Sequence, residues 1–248
     1  MTRFDVNCLL GPWPTGGPTL ADAAQMRAAM ARLGIERALV RHTAGIYYDA
    51  TDGNKALMAA LGAEDRERLL PCWTALPPLT GELGPLEGWL QALGEAQVRA
   101  VALYPAAHGY PLADWQLNAL LEPLAARRMI VLLEIAQITW DGVHWLCGRY
   151  PDLRVVLLES GYRLLRPLLG LLQVHENLYL DISTMSNFYG IETLCAHIGP
   201  GRLLFGTGQP RTDGAGVVSA LNYAELGAEE KRAIAWDNLE RLLGEVRL

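Results

Sequence analysis

Acidic side chains stand at or near the ends of two apolar runs in this sequence, where parallel strands would end. Glu134 lies in "MIVLLEI" and Glu159 lies in "LRVVLLES", so the two carboxylates are expected on neighbouring strands. Two neighbouring carboxylates raise each other's proton affinity, and a pair with separated pKa values supplies an acid and a base. We therefore predict that Glu134 and Glu159 are the catalytic residues.

Two other interpretations of these carboxylates stay open. In the first, each glutamate pairs with a buried arginine in a structural ion network, since buried charges are rarely left unpaired. In the second, the two glutamates join Asn7 and Asp181 as oxygen ligands of a hard ion such as Mg or Ca. Apart from that second alternative, we expect no cofactor and no metal ligand.

The ends of the strands are expected to form a polar cup around Glu134 and Glu159. Further polar side chains near the strand ends are candidates for substrate binding in this cup. Arg41 and Arg211 are natural anchors for an anionic substrate, because a guanidinium binds a carboxylate with two hydrogen bonds. Trp13 and Trp73 are candidates for an aromatic wall, and His108 lies in a loop that can reach the cup. The predicted substrate-binding residues are Asn7, Arg41, His42, Tyr104, Asp181, Gln209 and Arg211.

The elements that would position these residues alternate between short apolar runs and longer helical stretches. The strand candidates are "RFDVNCLL" from Arg3, "IERALVRH" from Ile35, "RLLPCWTA" from Arg68, "VRAVALYP" from Val98, "MIVLLEI" from Met129, "LRVVLLES" from Leu153, "LYLDIST" from Leu178 and "RLLFGTG" from Arg202. Eight βα units close most economically into a (β/α)8 TIM barrel, although a doubly wound open sheet shows the same alternation. Such a barrel takes about 250 residues, so we predict one α/β domain over residues 1–248.

In a TIM barrel the functional residues gather at the carboxyl ends of the strands. The loop "GPWPTGGPTL" after the first strand is expected to cover that face. The helix after it is predicted to have Thr19 as its N-cap, with Asp22 at the capping-box spacing, and to stop at Gly34.

Composition narrows the class of partner. The net charge is -6, and the sequence lacks the clustered Lys and Arg that bind a nucleic acid. We therefore expect a small-molecule ligand and no nucleic acid. No apolar run approaches the roughly 20 residues that span a bilayer, which predicts no membrane contact and a cytoplasmic protein. The four cysteines show no CxxC spacing and are expected to be buried free thiols.

Three stretches resemble motifs of the amidohydrolase superfamily, in the branch that includes aminocarboxymuconate-semialdehyde decarboxylase. "FDVNCLLG" resembles its opening D-x-H-x-H-x-G strand, "VVLLESG" its strand ending in H-x-G, and "RLLFGTGQP" its R-l-l-F-G-S-D-y-P strand. The ending "LGAEEKRAIAWDNLERLLG" resembles the family's closing helices, with Asn238 on the usual Asn. The resemblance covers nearly the whole chain and implies a TIM barrel with hydrolase or decarboxylase chemistry on a small molecule.

The metal-ligand positions of this family do not match. Asn7 and Leu9 stand where the resemblance places two His, Glu134 and Glu159 where it places two more, and Gly208 where it places an acidic residue. Because too few donors remain for a Zn-type ion, we expect an enzyme without the usual metal, acting on a small, anionic molecule. The alternative is a non-catalytic binding protein on the same fold. A homodimer, common in this branch, is left open.

Overall fold

Eight short apolar segments form one parallel sheet, in which the spatial order of the strands follows their order in the chain. The computed structural model describes all 248 residues. The strands are β1 (Arg3–Leu10), β2 (Ile35–His42), β3 (Leu69–Thr74), β4 (Ala100–Leu103), β5 (Ile130–Glu134), β6 (Arg154–Leu158), β7 (Leu178–Asp181) and β8 (Leu203–Leu204). Each strand pairs in parallel with the next. The prediction of a TIM barrel is confirmed, and the open doubly wound alternative is wrong.

The barrel closes between its last and first strands without a regular ladder. Val6 N–H donates to the Phe205 carbonyl, Gly208 N–H to the Asn7 carbonyl, and Leu9 N–H to the Gln209 carbonyl, each at 2.9 Å. The chain therefore continues to pair with β1 after β8 has ended, although β8 itself has only two residues. The predicted strand from Arg202 to Gly208 is for this reason longer than β8 itself.

Helices connect the strands and surround the barrel. They are α1 (Ala23–Leu33), α2 (Ala44–Tyr47), α3 (Ala50–Ala60), α4 (Leu86–Glu95), α5 (Asp114–Ala126), α6 (Trp140–Arg149), α7 (Leu165–Val174), α8 (Gly190–Ile198), α9 (Ala215–Tyr223), α10 (Ala228–Arg232) and α11 (Asn238–Glu245). Asn238 at the start of α11 donates to the carbonyls of Pro200 and Leu203, which attaches this helix to β8. None of the helices combines the length and apolar character needed to cross a bilayer.

Two apolar clusters stabilise the fold. The larger one, of 49 residues, lies mainly between the sheet and the helices. The smaller one, of 18 residues, fills the barrel and includes Phe4, Leu9, Leu39 and Leu132. Side chains on both faces of the strands are thus buried, which explains why strands such as β4 and β6 are nearly continuous apolar runs. The four cysteines are free, three of them buried and Cys195 half-buried.

The start of α1 differs from the prediction. Asp22, not Thr19, is the N-cap, and its side chain accepts the Gln25 N–H at 2.8 Å. The segment before it cannot be helical because the Leu20 carbonyl accepts the Gly11 N–H at 2.9 Å, which holds these residues across the end of β1. The predicted stop at Gly34 is confirmed, with a left-handed φ of 63°.

The expectation that Trp73 forms a wall of the cup is also wrong. Its ring packs against Trp89 of α4 with 6.4 Å between ring centroids, in the layer between sheet and helices. Successive side chains of a strand point to opposite faces, and here Cys72 takes the inward direction.

Candidate active site

The carboxylate of Glu134 is the centre of a charged network at the carboxyl end of the barrel. Glu134 is the last residue of β5, and its side chain is almost fully buried. Arg41 of β2 donates to Oε1 at 2.6 Å. Arg211, in the loop after β8, donates to Oε1 at 2.8 Å and to Oε2 at 3.1 Å. Burial alone would raise the pKa of Glu134, but the two guanidinium groups outweigh it and lower the pKa, so this carboxylate is ionised.

Arg41 connects Glu134 to two further predicted residues. Its side chain is 1% exposed, and it donates to the Tyr104 hydroxyl at 2.9 Å and to the Asn7 side-chain oxygen. Burial opposes the charged form, but the Glu134 carboxylate outweighs it, so the pKa of Arg41 is raised overall. Burial raises the pKa of Tyr104, which keeps its phenol neutral. Arg41 is therefore a permanent cation closed off from solvent.

Asp181, the last residue of β7, orients the opposite side of the cup. It accepts hydrogen bonds from the Asn7 side chain at 2.9 Å, from the Glu159 backbone N–H at 3.0 Å and from the Ser183 hydroxyl at 3.0 Å. Burial raises the pKa of Asp181, while the hydrogen bonds from Ser183 and Asn7 counteract that effect. Asp181 thus fixes the backbone of Glu159 and the amide of Asn7.

Glu159 differs from Glu134 in its surroundings. Its backbone has a φ of 61°, in the left-handed region that a residue with a side chain rarely occupies. Its carboxylate forms an ion pair with Arg211, and the side chain is 24% exposed. Burial and, next, the Glu134 charge raise the pKa of Glu159, Arg211 opposes both, and the resulting pKa is about 7. This carboxyl group consequently exchanges its proton near neutral pH.

Arg211 lies at the mouth of the cup and carries an aromatic neighbour. Its guanidinium carbon is 5.4 Å from the centre of the Trp13 ring, which belongs to the loop after β1. Trp13 in turn meets the edge of Tyr47 of α2, with 5.6 Å between centroids. The "GPWPTGGPTL" loop therefore contributes one side chain over Arg211 and leaves the Arg211 side chain 26% exposed.

Two predicted binding residues lie outside this network. The Nδ1 atom of His42 accepts the Ala44 N–H at 3.1 Å, and burial lowers the pKa of this imidazole. The side-chain amide of Gln209 donates to the Asp213 carbonyl at 3.2 Å. His108 also stays apart, with its Nε2 atom 3.1 Å from the Ile46 carbonyl. These side chains support local loop structure.

The sequence reasoning missed Thr207, Ser183 and Tyr47. Thr207 anchors the loop that carries Arg211, because Asp5 accepts both its backbone N–H, at 3.0 Å, and its hydroxyl. Burial raises the pKa of Asp5 to about 6, although these hydrogen bonds counteract the rise. Ser183 could have been found as a hydroxyl two residues after Asp181. No sequence signal distinguishes Tyr47 from other exposed aromatic residues.

Comparison with known proteins agrees with this architecture. The profile described as "Amidohydrolase" matches residues 15–244. The chain belongs to the amidohydrolase family. The sequence has no significant match among curated proteins.

Several solved structures share the amidohydrolase fold of this chain. An uncharacterized TIM-barrel protein from Bordetella bronchiseptica is 17% identical with a TM-score of 0.78, each chain being covered to 99%. A 2,6-dihydroxybenzoate decarboxylase from Rhizobium is 13% identical with a TM-score of 0.74, each chain being covered to 98%. A 5-carboxyvanillate decarboxylase from Sphingomonas paucimobilis is 13% identical with a TM-score of 0.74, each chain being covered to 99%. At such low identity these similarities establish the fold alone.

The residues at the mouth of this amidohydrolase barrel do not suit a divalent cation. No three His, Cys, Asp or Glu side chains come together in an arrangement that could hold a metal ion. Both oxygens of Glu134 already accept guanidinium N–H groups, so a metal ion on this carboxylate would lie close to two cations. The donor set that the family resemblance implies is therefore not the one these side chains offer.

Gly208 has a backbone conformation that favours glycine. Its φ is 71°, and a Cβ atom there would lie 3.4 Å from Thr212 and 3.8 Å from the Asn7 amide nitrogen. Space is sufficient for a small side chain, but the left-handed backbone disfavours one. This turn directs Arg211 back towards Glu134.

Proposed function

We propose that this chain is an enzyme that acts, without a catalytic metal, on a small carboxylated molecule at the mouth of its barrel. The observation that carries the proposal is the partial exposure of two side chains that form one ion pair. Glu159 and Arg211 are each about a quarter exposed, at 24% and 26%, whereas Glu134 behind them is 6% exposed. A ligand from solvent can therefore reach one acid and one cation.

The two glutamates take different parts in this proposal. Glu134 is an ionised anchor, because both its oxygens hold guanidinium groups in place. Glu159 exchanges the proton, since a carboxyl group with a pKa near the working pH is an efficient acid or base. Arg211 binds the carboxylate of the substrate, and Arg41 supports it from behind through Glu134.

The names of two similar structures support the substrate class. 2,6-Dihydroxybenzoate and 5-carboxyvanillate, named in those decarboxylases, are both carboxylated rings. A ring of this kind matches the aromatic surface that Trp13 and Tyr47 offer beside Arg211. We extend the class, and not the individual substrates, to this chain.

The chemical step is a proton transfer between Glu159 and the bound acid. In a decarboxylation the bond between ring and carboxylate breaks, CO2 leaves, and the ring carbon keeps the electron pair and takes the proton of Glu159. Solvent then returns a proton to Glu159, which balances the cycle. In a hydrolysis Glu159 instead gives its proton to the leaving oxygen as water attacks the carbonyl carbon and the bond between them breaks, and the attacking water returns a proton to Glu159.

A second candidate function is ligand binding without turnover. The specific observation in its favour is that both glutamates are paired with arginine and that Trp13 lies over Arg211. In that case the network would hold a carboxylate without transforming it.

The test is a screen of carboxylated ring acids, including the two named above, with and without a chelator and with added divalent metals. Mass spectrometry detects CO2 loss or addition of water. We expect turnover that a chelator leaves unchanged and that Glu159→Gln lowers by about 10²-fold or more, as for loss of an acid or base. Glu176→Gln, an exposed glutamate outside the network, is the matched control.

Three other outcomes contradict the proposal. Turnover that requires added metal would exclude a metal-independent reaction. Equal turnover in Glu159→Gln would exclude the role of Glu159. Binding of the acids without turnover of any of them would favour the second candidate.

A further inference from the structure

Three carboxylates and two guanidinium groups share the cup, so its charges do not balance. Glu134, Glu159 and Asp181 face Arg41 and Arg211. If all five were charged, the cluster would carry one excess negative charge. An additional anionic ligand would increase that excess unless one carboxylate became neutral.

Glu159 is the carboxylate that is held least firmly. Both oxygens of Glu134 accept hydrogen bonds from arginine, and Asp181 accepts hydrogen bonds from three groups. The Glu159 carboxylate contacts Arg211 alone, and it does so at the same nitrogen, Nη2, that already donates to Glu134. Arg211 thus keeps its two-point contact with Glu134 if Glu159 leaves.

The backbone of Glu159 allows its side chain to move separately. The backbone N–H is fixed by Asp181, whereas the side chain is partly exposed. The φ of 61° is maintained by that anchor and by the following turn at Gly161, with a φ of 62°. Rotation about the side-chain torsions is therefore enough to carry the carboxyl group away from Arg211.

From this geometry we infer that Glu159 occupies the place of the substrate carboxylate on Arg211, and that a carboxylate ligand binds by displacing it. This inference rests on the proposed function and specifies how its site admits a ligand. The exchange is balanced: the ligand carboxylate takes the ion pair with Arg211, and Glu159 takes a proton from solvent and becomes a neutral acid. The cluster keeps the same total charge before and after binding.

The proton uptake makes binding depend on pH. The charged and titratable groups that influence Glu159 are Glu134 of β5, Arg211 after β8, Arg41 of β2 and Asp181 of β7, and the Tyr47 phenol of α2 also senses its charge. With a pKa of about 7 in the free protein, Glu159 is largely protonated at about pH 6 and largely ionised at about pH 8. Displacement is therefore easier at the lower pH.

The test measures binding of benzoate, a simple ring carboxylate, by isothermal titration calorimetry at about pH 6 and about pH 8 in buffers of different ionisation enthalpy. For the unmodified protein we expect benzoate to bind about tenfold more weakly at the higher pH, with uptake of about one proton at that pH and little uptake at the lower pH. In Glu159→Gln we expect no proton uptake and equal affinity at both values. At the higher pH this variant should bind about tenfold more tightly than the unmodified protein.

Arg211→Met is the second variant, and Arg166→Met, an exposed arginine outside the network, is its control. Arg211→Met should lose at least tenfold in benzoate affinity, since a charge-assisted pair is lost. Circular dichroism establishes that each variant is folded. If Arg211→Met is unfolded, the comparison of Glu159→Gln with the unmodified protein decides alone.

The inference is overturned if Glu159→Gln binds benzoate no more tightly than the unmodified protein at the higher pH, or if neither protein binds it. Binding by Glu159→Gln alone supports it. The proposed function can fail while this inference holds. In that case benzoate displaces Glu159, but the protein turns over none of the acids. Conversely, turnover that depends on Glu159 while affinity is unchanged by Glu159→Gln leaves only the function standing.

Discussion

Replacing Glu159 with glutamine should change how the stability of the protein depends on pH. The pKa of this carboxyl group rises from 4.5 to about 7 on folding, chiefly through burial. Between these values the folded state binds more protons than the unfolded state, so the free energy of unfolding falls as pH rises through this window. Above pH 7 both states are ionised and the loss is complete.

The magnitude follows from the shift itself. One pKa unit corresponds to about 1.4 kcal/mol, so Glu159 lowers the free energy of unfolding by about 3 kcal/mol between pH 4.5 and 7. Glutamine resembles the neutral acid and does not titrate. The stability of Glu159→Gln minus that of the unmodified protein should therefore increase by about 3 kcal/mol over this range.

Urea denaturation at a series of pH values measures this difference directly. Groups such as Asp5 titrate in both proteins, so their contributions cancel in the difference. Glu176→Gln, in which the replaced side chain is exposed, should give a difference that does not change with pH. A flat difference for Glu159→Gln as well would refute the conclusion that burial and Glu134 hold Glu159 near neutrality.

Three further substitutions test separate parts of the structure by denaturant unfolding. Glu134→Gln should cost about 3–5 kcal/mol because it leaves a buried guanidinium uncompensated; a cost below about 1 kcal/mol would contradict the buried ion pair. Gly208→Ala should destabilise by about 1 kcal/mol because of its positive φ, whereas the helical Gly88→Ala should stabilise; equal effects would contradict the turn geometry. Asn54→Ala should cost about 1–3 kcal/mol, since it leaves the backbone N–H and carbonyl of Thr74 unpaired inside the protein, and an unchanged midpoint would contradict that contact.

The strands could be predicted from the sequence, but the direction of their side chains could not always be. β1 and β2 have the predicted bounds. Both faces of a barrel strand are buried, however, so no polar alternation indicates which residues point inward. Trp73 was assigned to the cup for this reason, although Cys72 is the residue that faces the interior.

The residues of the cup could be predicted, but their pairing could not. Asn7, Arg41, Glu134 and Asp181 come from four strands and meet because parallel strands end at one edge. Sequence reasoning left open whether the glutamates form an acid and base pair, an ion network or an ion site. The choice depends on where one loop residue, Arg211, points, and loop conformation is not encoded in hydrophobic periodicity.

The position of Arg211 is set by a chain of contacts that begins on the first strand. Asp5 holds Thr207, the left-handed Gly208 turns the backbone, and Arg211 returns to Glu134 on the opposite side of the barrel. The guanidinium that results pairs with the buried carboxylate of Glu134 and with the partly exposed side chain of Glu159. In the proposed function, Arg211 pairs with a ligand carboxylate once Glu159 is protonated, because a guanidinium binds a carboxylate with two hydrogen bonds.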